Sequence, residues 1–245
     1  MRMMKQKIEY IIGLLILTLG ICLIVLADVG ASPWDSVSLG FVEIYGFNLG
    51  QWTFIVGIIL VMITSLIVNK PLRSDKISLI ISILFFISLL ISFIVATTSI
   101  LFLIPLSLTL ILYIILIFKN SLNIRYTSVI AGLLTGLFIE MWFNIFANYV
   151  PSGIITCLIG IVVLSLGIAL YTRVDIAPNP VDNLMIGLVD GFDMSITKAK
   201  LITDAIGISI GILIGGPVGY GTFLIVIMAG PFVGLFTKFF NRINK

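Results

Sequence analysis

The chain has 245 residues, of which 60% are hydrophobic and only 10% charged, and its mean hydropathy is +1.27. This composition leaves too little polar surface for a water-soluble globule and predicts an all-α protein that crosses a membrane several times. The net charge of +3 gives no indication of nucleic-acid binding, and the lack of histidine excludes His triads, His metal sites and His proton relays.

Eight segments are apolar enough, over about 20 residues each, to cross or nearly cross a hydrocarbon core of about 30 Å. In chain order they lie at about 10–27, 51–69, 77–96, 99–118, 126–148, 153–172, 199–215 and 221–240. Alternating crossings place all 14 Lys and Arg residues on one side, and the loops on the other side contain none. Because cytoplasmic loops collect basic residues, this asymmetry predicts a multi-pass protein of the plasma membrane with both termini cytoplasmic.

The same ungapped pattern occurs twice, at 19–40 and at 166–187, with an offset of 147 positions. The first copy contains Leu19, Gly20, Ile21, Asp28, Pro33, Asp35 and Gly40, and the second contains Leu166, Gly167, Ile168, Asp175, Pro180, Asp182 and Gly187. Five crossings separate the two copies, so the second copy runs in the opposite direction. Inverted duplication around polar residues is typical of secondary transporters.

The repeat divides the chain into a first half, 1–148, and an inverted second half, 149–245. A weaker match between 128–136 and 222–230 extends each repeat unit to three spans. The segment 77–118 is then an extra hairpin inserted in the first half.

The segments 33–46 and 180–192 are apolar but too short to cross the bilayer, since 14 residues make about 21 Å of helix. Each opens on a proline, Pro33 or Pro180. We predict two half-helices that either re-enter the membrane between other helices or lie on its surface as amphipathic helices.

Polar residues at the starts of these segments are the predicted substrate-binding or gating groups. Ser32 and Asn179 supply N-cap oxygens, and Asp35 and Asp182 stand at the third helical position, so stability alone could explain them. A membrane-inserted helix N-terminus also presents free N–H groups to a substrate. Asp28 and Asp175 follow the C-terminal ends of spans, where the helix dipole disfavours a carboxylate, and complete the predicted set.

Two acids fall within predicted spans, Glu140 and Asp204. An ionisable group at mid-bilayer costs at least about 2.5 kcal/mol unless it is paired, protonated or hydrated. With every basic residue assigned to the cytoplasmic face, neither acid is expected to have a basic partner. We predict that they couple transport to a proton or another ion; the alternative is a protonated carboxyl that holds two helices together.

The sequence indicates no enzyme, cofactor or metal site. Cys22 and Cys157 stand alone in separate spans, without metal-ligand spacing, and are expected to pack. The glycine-rich run at 215–222 lacks the Gly-Lys-Ser/Thr ending of a phosphate loop.

The chain resembles the YczE/YyaS/YitT family of bacterial membrane proteins. The resemblance rests on Gly-Ala-Ser-Pro-Trp-Asp at 30–35, Asn-Pro-Val-Asp at 179–182, and Gly-Gly-Pro-Val-Gly-Tyr-Gly-Thr at 215–222 followed by Gly230 and Pro231. It covers both halves but not 77–118. It implies an integral membrane protein, with export of small compounds suggested for some relatives.

The resulting hypothesis is a secondary transporter of a small molecule, more specifically an exporter driven by a proton or ion gradient. Its expected partners are the substrate, the coupling ion, membrane lipids and a second copy of the chain. The alternatives are a non-transporting membrane scaffold and a lipid flippase.

Overall fold

A computed structural model of the chain describes residues 2–69, 125–174 and 176–243, with isolated helical residues at 80, 84, 108, 111, 112, 114 and 115. The three continuous ranges fold into eight helices and contain no strand. They are α1 (Arg2–Leu26), α2 (Pro33–Tyr45), α3 (Leu49–Asn69), α4 (Tyr126–Phe146), α5 (Ile154–Thr172), α6 (Pro180–Phe192), α7 (Ile196–Leu213) and α8 (Tyr220–Ile243). The predicted all-α class is confirmed. The hairpin predicted at 77–118 falls largely outside the described residues.

Five of the eight helices in the described ranges, α1, α3, α4, α5 and α8, are long and apolar enough to cross a membrane. The chain is therefore a multi-pass membrane protein. Helix α7 coincides with the predicted span at 199–215 but is not among these five. Its 18 residues include three charged ones, Lys198, Lys200 and Asp204.

Helices α1 and α5 cross in backbone contact at the two glycines of the repeat. A Cβ on Gly20 would lie 2.5 Å from the Cα of Leu164, and a Cβ on Gly167 would lie 2.5 Å from the Cα of Leu17. Both distances are shorter than any real Cβ contact, so only glycine fits either position. Close approach through small residues is the usual way in which membrane helices associate.

Two further glycines, one on each helix, extend the same crossing. Gly13 faces the backbone of Tyr171, and Gly160 faces the backbone of Ile24. Gly13 and Gly160 are 147 residues apart, and so are Ile24 and Tyr171. Each α1–α5 contact made by one half therefore has its counterpart in the other half.

The two half-helices, predicted at 33–46 and 180–192, occur as α2 and α6 with 13 residues each. Each packs against the second long helix of the other half: α2 lies on α7, and α6 lies on α3. Pro33 contacts Gly207, and Pro180 contacts Gly57, so a glycine admits the first turn of each half-helix. Residues 33–38 of α2 are all buried, which places protein on every side of its first turns and favours the inserted half-helix over a surface helix.

Contacts between the ends of helices define the two ends of the bundle. At one end, Arg173 after α5 bonds Glu9 of α1 at 3.1 Å and stacks over Phe240 of α8. At the other end, the Gly153 amide donates to the Ala27 carbonyl at 2.8 Å. The start of α1 and the ends of α5 and α8, all basic in sequence, therefore meet at one end of the bundle.

Candidate functional site

Helix α2 begins with a reciprocal cap. The Asp35 amide donates to the Ser32 hydroxyl oxygen at 3.3 Å, and the Ser32 hydroxyl donates to the Asp35 carboxylate at 2.5 Å. Proline at the first helical position sets the backbone angle that a helix start requires. The capping interpretation of Ser32 is confirmed, and the same bond holds the carboxylate of Asp35, a residue only 6% exposed.

Helix α6 begins with the same residue types but uses its aspartate differently. The Asn179 side-chain oxygen accepts the Val181 amide at 3.3 Å, which confirms the predicted cap. The half-buried Asp182 carboxylate does not bond back to the cap residue; it accepts a hydrogen bond from the phenol of Tyr171. Tyr171 is fully buried at the end of α5, so Asp182 ties the half-helix to the α1–α5 crossing.

The two helix starts open into one cavity of about 500 Å³. The cavity brings together four of the predicted binding residues, Ser32, Asp35, Asn179 and Asp182, with the predicted coupling residue Asp204. Nine pairs of its lining residues are separated by 147 positions: Leu17/Leu164, Ile21/Ile168, Ser32/Asn179, Pro33/Pro180, Trp34/Val181, Asp35/Asp182, Ser38/Met185, Thr53/Lys200 and Gly57/Asp204. The duplicated segments of the sequence thus meet at a common cavity.

The prediction that Asp204 has no basic partner is wrong. The Lys200 ammonium lies 2.5 and 2.7 Å from the two Asp204 carboxylate oxygens. The two residues are one helical turn apart on α7, and four methylenes let the ammonium reach back along the helix. Their exposure differs sharply: the Lys200 side chain is 46% exposed and the Asp204 side chain 3%.

This ion pair breaks the symmetry of the cavity. Helix α3 packs against α6 as α7 packs against α2. Unlike α7, however, α3 contains no charged residue. Asp182 lies near enough to both Lys200 and Asp204 to interact with them electrostatically. The charged end of the cavity is therefore formed by α6 and α7.

Two polar side chains that line the cavity have buried atoms with no hydrogen-bond partner. They are the indole N–H of Trp34, a residue 8% exposed, and the hydroxyl of Thr53. Burying an unpaired donor costs about 1–3 kcal/mol. Both atoms lie in the wall of the cavity, closed off from its open space, and the described protein groups leave them unpaired.

Two predicted site residues are not placed in the cavity by the structure. Asp28 is exposed and adopts a left-handed backbone (φ 55°) immediately after α1, a conformation that aspartate tolerates. The turn accounts for this backbone conformation, and the gating role of Asp28 stays a prediction. Asp175 lies outside the described residues.

Glu140 also lies away from the cavity lining. Its carboxylate accepts the Gly50 amide at 2.6 Å and so caps the start of α3 from α4. Gly50 is required there, because a Cβ would collide with the Gly136 carbonyl. The contact matches the alternative reading of a carboxyl that joins two helices; the coupling role of Glu140 stays a prediction.

Sequence reasoning missed Trp34, Thr53, Tyr171 and Lys200 as parts of the site. The i, i+4 spacing of Lys200 and Asp204 was a usable signal. Trp34 stands within the motif at 30–35, but no local pattern shows that its N–H lacks a partner. Nor does a local pattern mark Thr53, which lines the cavity, or Tyr171, which bonds Asp182 from α5. The two cysteines, Cys22 and Cys157, are free and fully buried.

Comparisons with known proteins agree with the family resemblance read from the sequence, but they also cover 77–118, so the prediction that the resemblance leaves out this segment is wrong. The model of a family of unknown function, DUF6198, matches residues 4–108 and 99–238. The chain is similar to the uncharacterized protein YyaS of Bacillus subtilis (strain 168), with 25% identity over 95% of this chain and 92% of YyaS. It is also similar to the uncharacterized membrane protein YczE of that organism, with 24% identity over 93% of this chain and 85% of YczE.

A third relative is an uncharacterized protein of Haemophilus influenzae (strain ATCC 51907 / DSM 11121 / KW20 / Rd), with 28% identity over 94% of this chain and 83% of the relative. No solved structure matches the chain. The predicted likeness to YyaS and YczE is confirmed.

Proposed function

We propose, from the cavity, an activity for this chain, which belongs to DUF6198, a family of unknown function. The chain is a secondary transporter of a small molecule. More specifically, it is an exporter coupled to a proton or another cation. The observation that carries the proposal is that nine pairs of residues at equivalent positions of the two halves line one cavity. A site shared by two equivalent halves can be closed from either side by equivalent movements, which is the geometric requirement of alternating access.

The pairing of helices supports an inverted repeat. Contacts of α2 with α7 match those of α6 with α3, and contacts of α1 with α4 match those of α5 with α8. Within the α1–α5 crossing, the contacts of Gly13 and Gly20 on α1 match those of Gly160 and Gly167 on α5. In this proposal the halves 1–148 and 149–245 rock against each other about that crossing, with the half-helices as the moving walls.

Coupling is assigned to Asp204 rather than to Glu140. Asp204 lines the cavity, is almost fully buried and interacts electrostatically with Asp182, whereas Glu140 caps a helix elsewhere. A carboxylate that meets both substrate and ion in one cavity can exchange one for the other. Paired ionisable groups within a membrane protein commonly mark such pathways.

Flux in sealed vesicles tests the function. Purified protein is reconstituted into liposomes, and uptake of a panel of small amines, acids and neutral compounds is measured with and without an imposed pH gradient. We expect gradient-dependent flux of at least one compound, lost in protein-free liposomes. No flux across the panel, together with a stable complex with another membrane protein, would support the scaffold instead. Movement of labelled phospholipid alone would support a flippase.

The orientation of the chain is a second testable part of the proposal. In a variant with Cys22 and Cys157 replaced by alanine, single cysteines are introduced at Asn48 and at Phe192, both exposed residues that follow or end a half-helix. If both termini are cytoplasmic, a membrane-impermeant maleimide applied to intact cells labels position 48 and spares position 192. Permeabilised cells should label both. Labelling of position 192 in intact cells would contradict the inverted arrangement.

A further inference from the structure

We infer that the cavity takes an organic amine: a protonated nitrogen on an apolar or aromatic body that also carries a hydrogen-bond acceptor. The inference rests on the proposed transport function and names the substrate class of the same site. It follows from three features of the cavity. They are the excess of carboxylates over ammonium groups, the half-exposed Lys200 side chain that pairs with Asp204, and the unpaired indole N–H of Trp34.

The first feature is the charge of the lining. The cavity holds three carboxylates, Asp35, Asp182 and Asp204, and one ammonium, Lys200, for a formal sum of −3 + 1 = −2. The starts of α2, α6 and α7, whose first residues line the cavity, each contribute about half a positive charge. With all three counted, the sum is still negative, at about −0.5. The helix N-termini therefore do not make this an anion site, and a cationic substrate is favoured.

The second feature is the unequal burial of the ion pair. The Lys200 side chain is 46% exposed, so its ammonium can turn toward water on a flexible stem. The Asp204 carboxylate is 3% exposed and has no such freedom, and a buried charge without a partner is costly. An entering ammonium can therefore take the place of the Lys200 ammonium beside Asp204 and Asp182. Lys200 therefore acts as a competitor within the protein, and in the empty cavity it neutralises one of the three carboxylates.

The third feature lies on the α2 side of the cavity. The Trp34 N–H lacks a hydrogen-bond partner, and the residue is more than nine-tenths buried. Paired leucines and isoleucines of α1 and α5, among them Leu17 and Leu164, line the cavity as well. An apolar body suits these residues. The Trp34 N–H itself is closed off from the open space of the cavity, so the indole must turn before an acceptor atom on that body can satisfy it. Apolar walls with a few polar groups are the usual make-up of a small-molecule site.

A matched pair of probes tests the inference on the detergent-solubilised full chain. N-dansylcadaverine has a sulfonamide acceptor, an aromatic body and five methylenes that end in an ammonium; N-dansyl-6-aminohexanoic acid differs only in ending in a carboxylate. Binding is followed by dansyl fluorescence and by energy transfer from tryptophan. We expect the amine to bind at least about tenfold more tightly than the acid. Equal or tighter binding of the acid, or no binding of the amine, would overturn the inference.

Four variants locate the amine. Asp204→Asn should weaken its binding about tenfold, and Lys200→Gln should strengthen it by a similar factor. Trp34→Phe should weaken it about fivefold and remove part of the energy transfer. The control Asp190→Asn changes an exposed acid of α6 outside the cavity lining and should leave binding unchanged. Weaker amine binding in Lys200→Gln would exclude competition. The wild-type comparison of the two probes remains decisive if any variant fails to fold.

The binding assay is independent of the flux assay. Flux of acids but not of amines would keep the transporter and remove the amine. Tight amine binding without flux of any compound would keep the site and remove the transport function.

Discussion

Replacing Gly167 by alanine is expected to abolish accumulation of folded protein, although the change adds one methyl group. That methyl would lie 2.5 Å from the Cα of Leu17 and 2.8 Å from the carbonyl oxygen of Gly13, so α1 and α5 would have to move apart. Overpacking costs typically about 1–3 kcal/mol where neighbouring side chains can yield. Here the obstacle is backbone, so the loss should reach or exceed the upper end of that range. The measurement is the monodisperse fraction in size-exclusion chromatography, with the melting temperature of what remains.

The matched control for this substitution is Gly234→Ala on α8. A Cβ there meets nothing within 4 Å, and alanine is the better helix former, so the melting temperature should stay the same or rise. Gly20→Ala should be as damaging as Gly167→Ala, because its added methyl would lie equally close to Leu164. Wild-type behaviour of Gly167→Ala would show that the crossing has room; a difference between the two glycines would argue against a symmetric crossing.

The sequence was sufficient to predict the two half-helices because their starts follow local chemistry. A cap residue, a proline at the first helical position and an acid at the third determine a helix start without help from distant residues. Helix α2 accordingly begins at Pro33, the predicted residue, and α6 begins at Pro180. The five apolar spans were predictable for a similar reason, since length and hydropathy are local properties.

The arrangement of these helices was less accessible. The packing of α2 on α7 and of α6 on α3 is a tertiary property. Its trace in the sequence is a set of glycines at these contacts, among them Gly57 and Gly207, which receive the two prolines. The repeat predicts which residues of the two halves are equivalent. It could not predict that they would share one cavity, because a duplicated segment can equally well place its polar residues at two separate surfaces.

The mistake over Asp204 has a physical origin. The positive-inside rule locates a lysine by its Cα, and on that basis every basic residue was assigned to the membrane surface. The ammonium of Lys200 lies a whole side chain away from its Cα and reaches the carboxylate one turn further along α7. Unpaired donors such as that of Trp34 were beyond prediction for a related reason: whether an indole finds an acceptor depends on packing between α2 and the opposite half.

Asparagine in place of Asp35 and of Asp182 should each reduce flux by about tenfold to a hundredfold while leaving folded protein in the membrane. The helix starts survive, since the caps are Ser32 and Asn179, and asparagine still accepts the hydrogen bonds that Ser32 and Tyr171 donate. What is lost is a buried charge, and hydrogen bonds to charged groups contribute about 1.5–3 kcal/mol, which corresponds to that range of rates.

The measurement for these two variants is the initial rate of flux in liposomes, using the compound that the panel identifies, with melting temperatures as the test of folding. Glu43→Gln on α2 and Asp190→Asn on α6 are matched controls, because they remove exposed acids from the same half-helices outside the cavity. A pure capping role predicts wild-type flux in all four variants. A shared central site predicts that both cavity aspartates matter and that neither control does, and loss of flux from only one aspartate would place the substrate in one half alone.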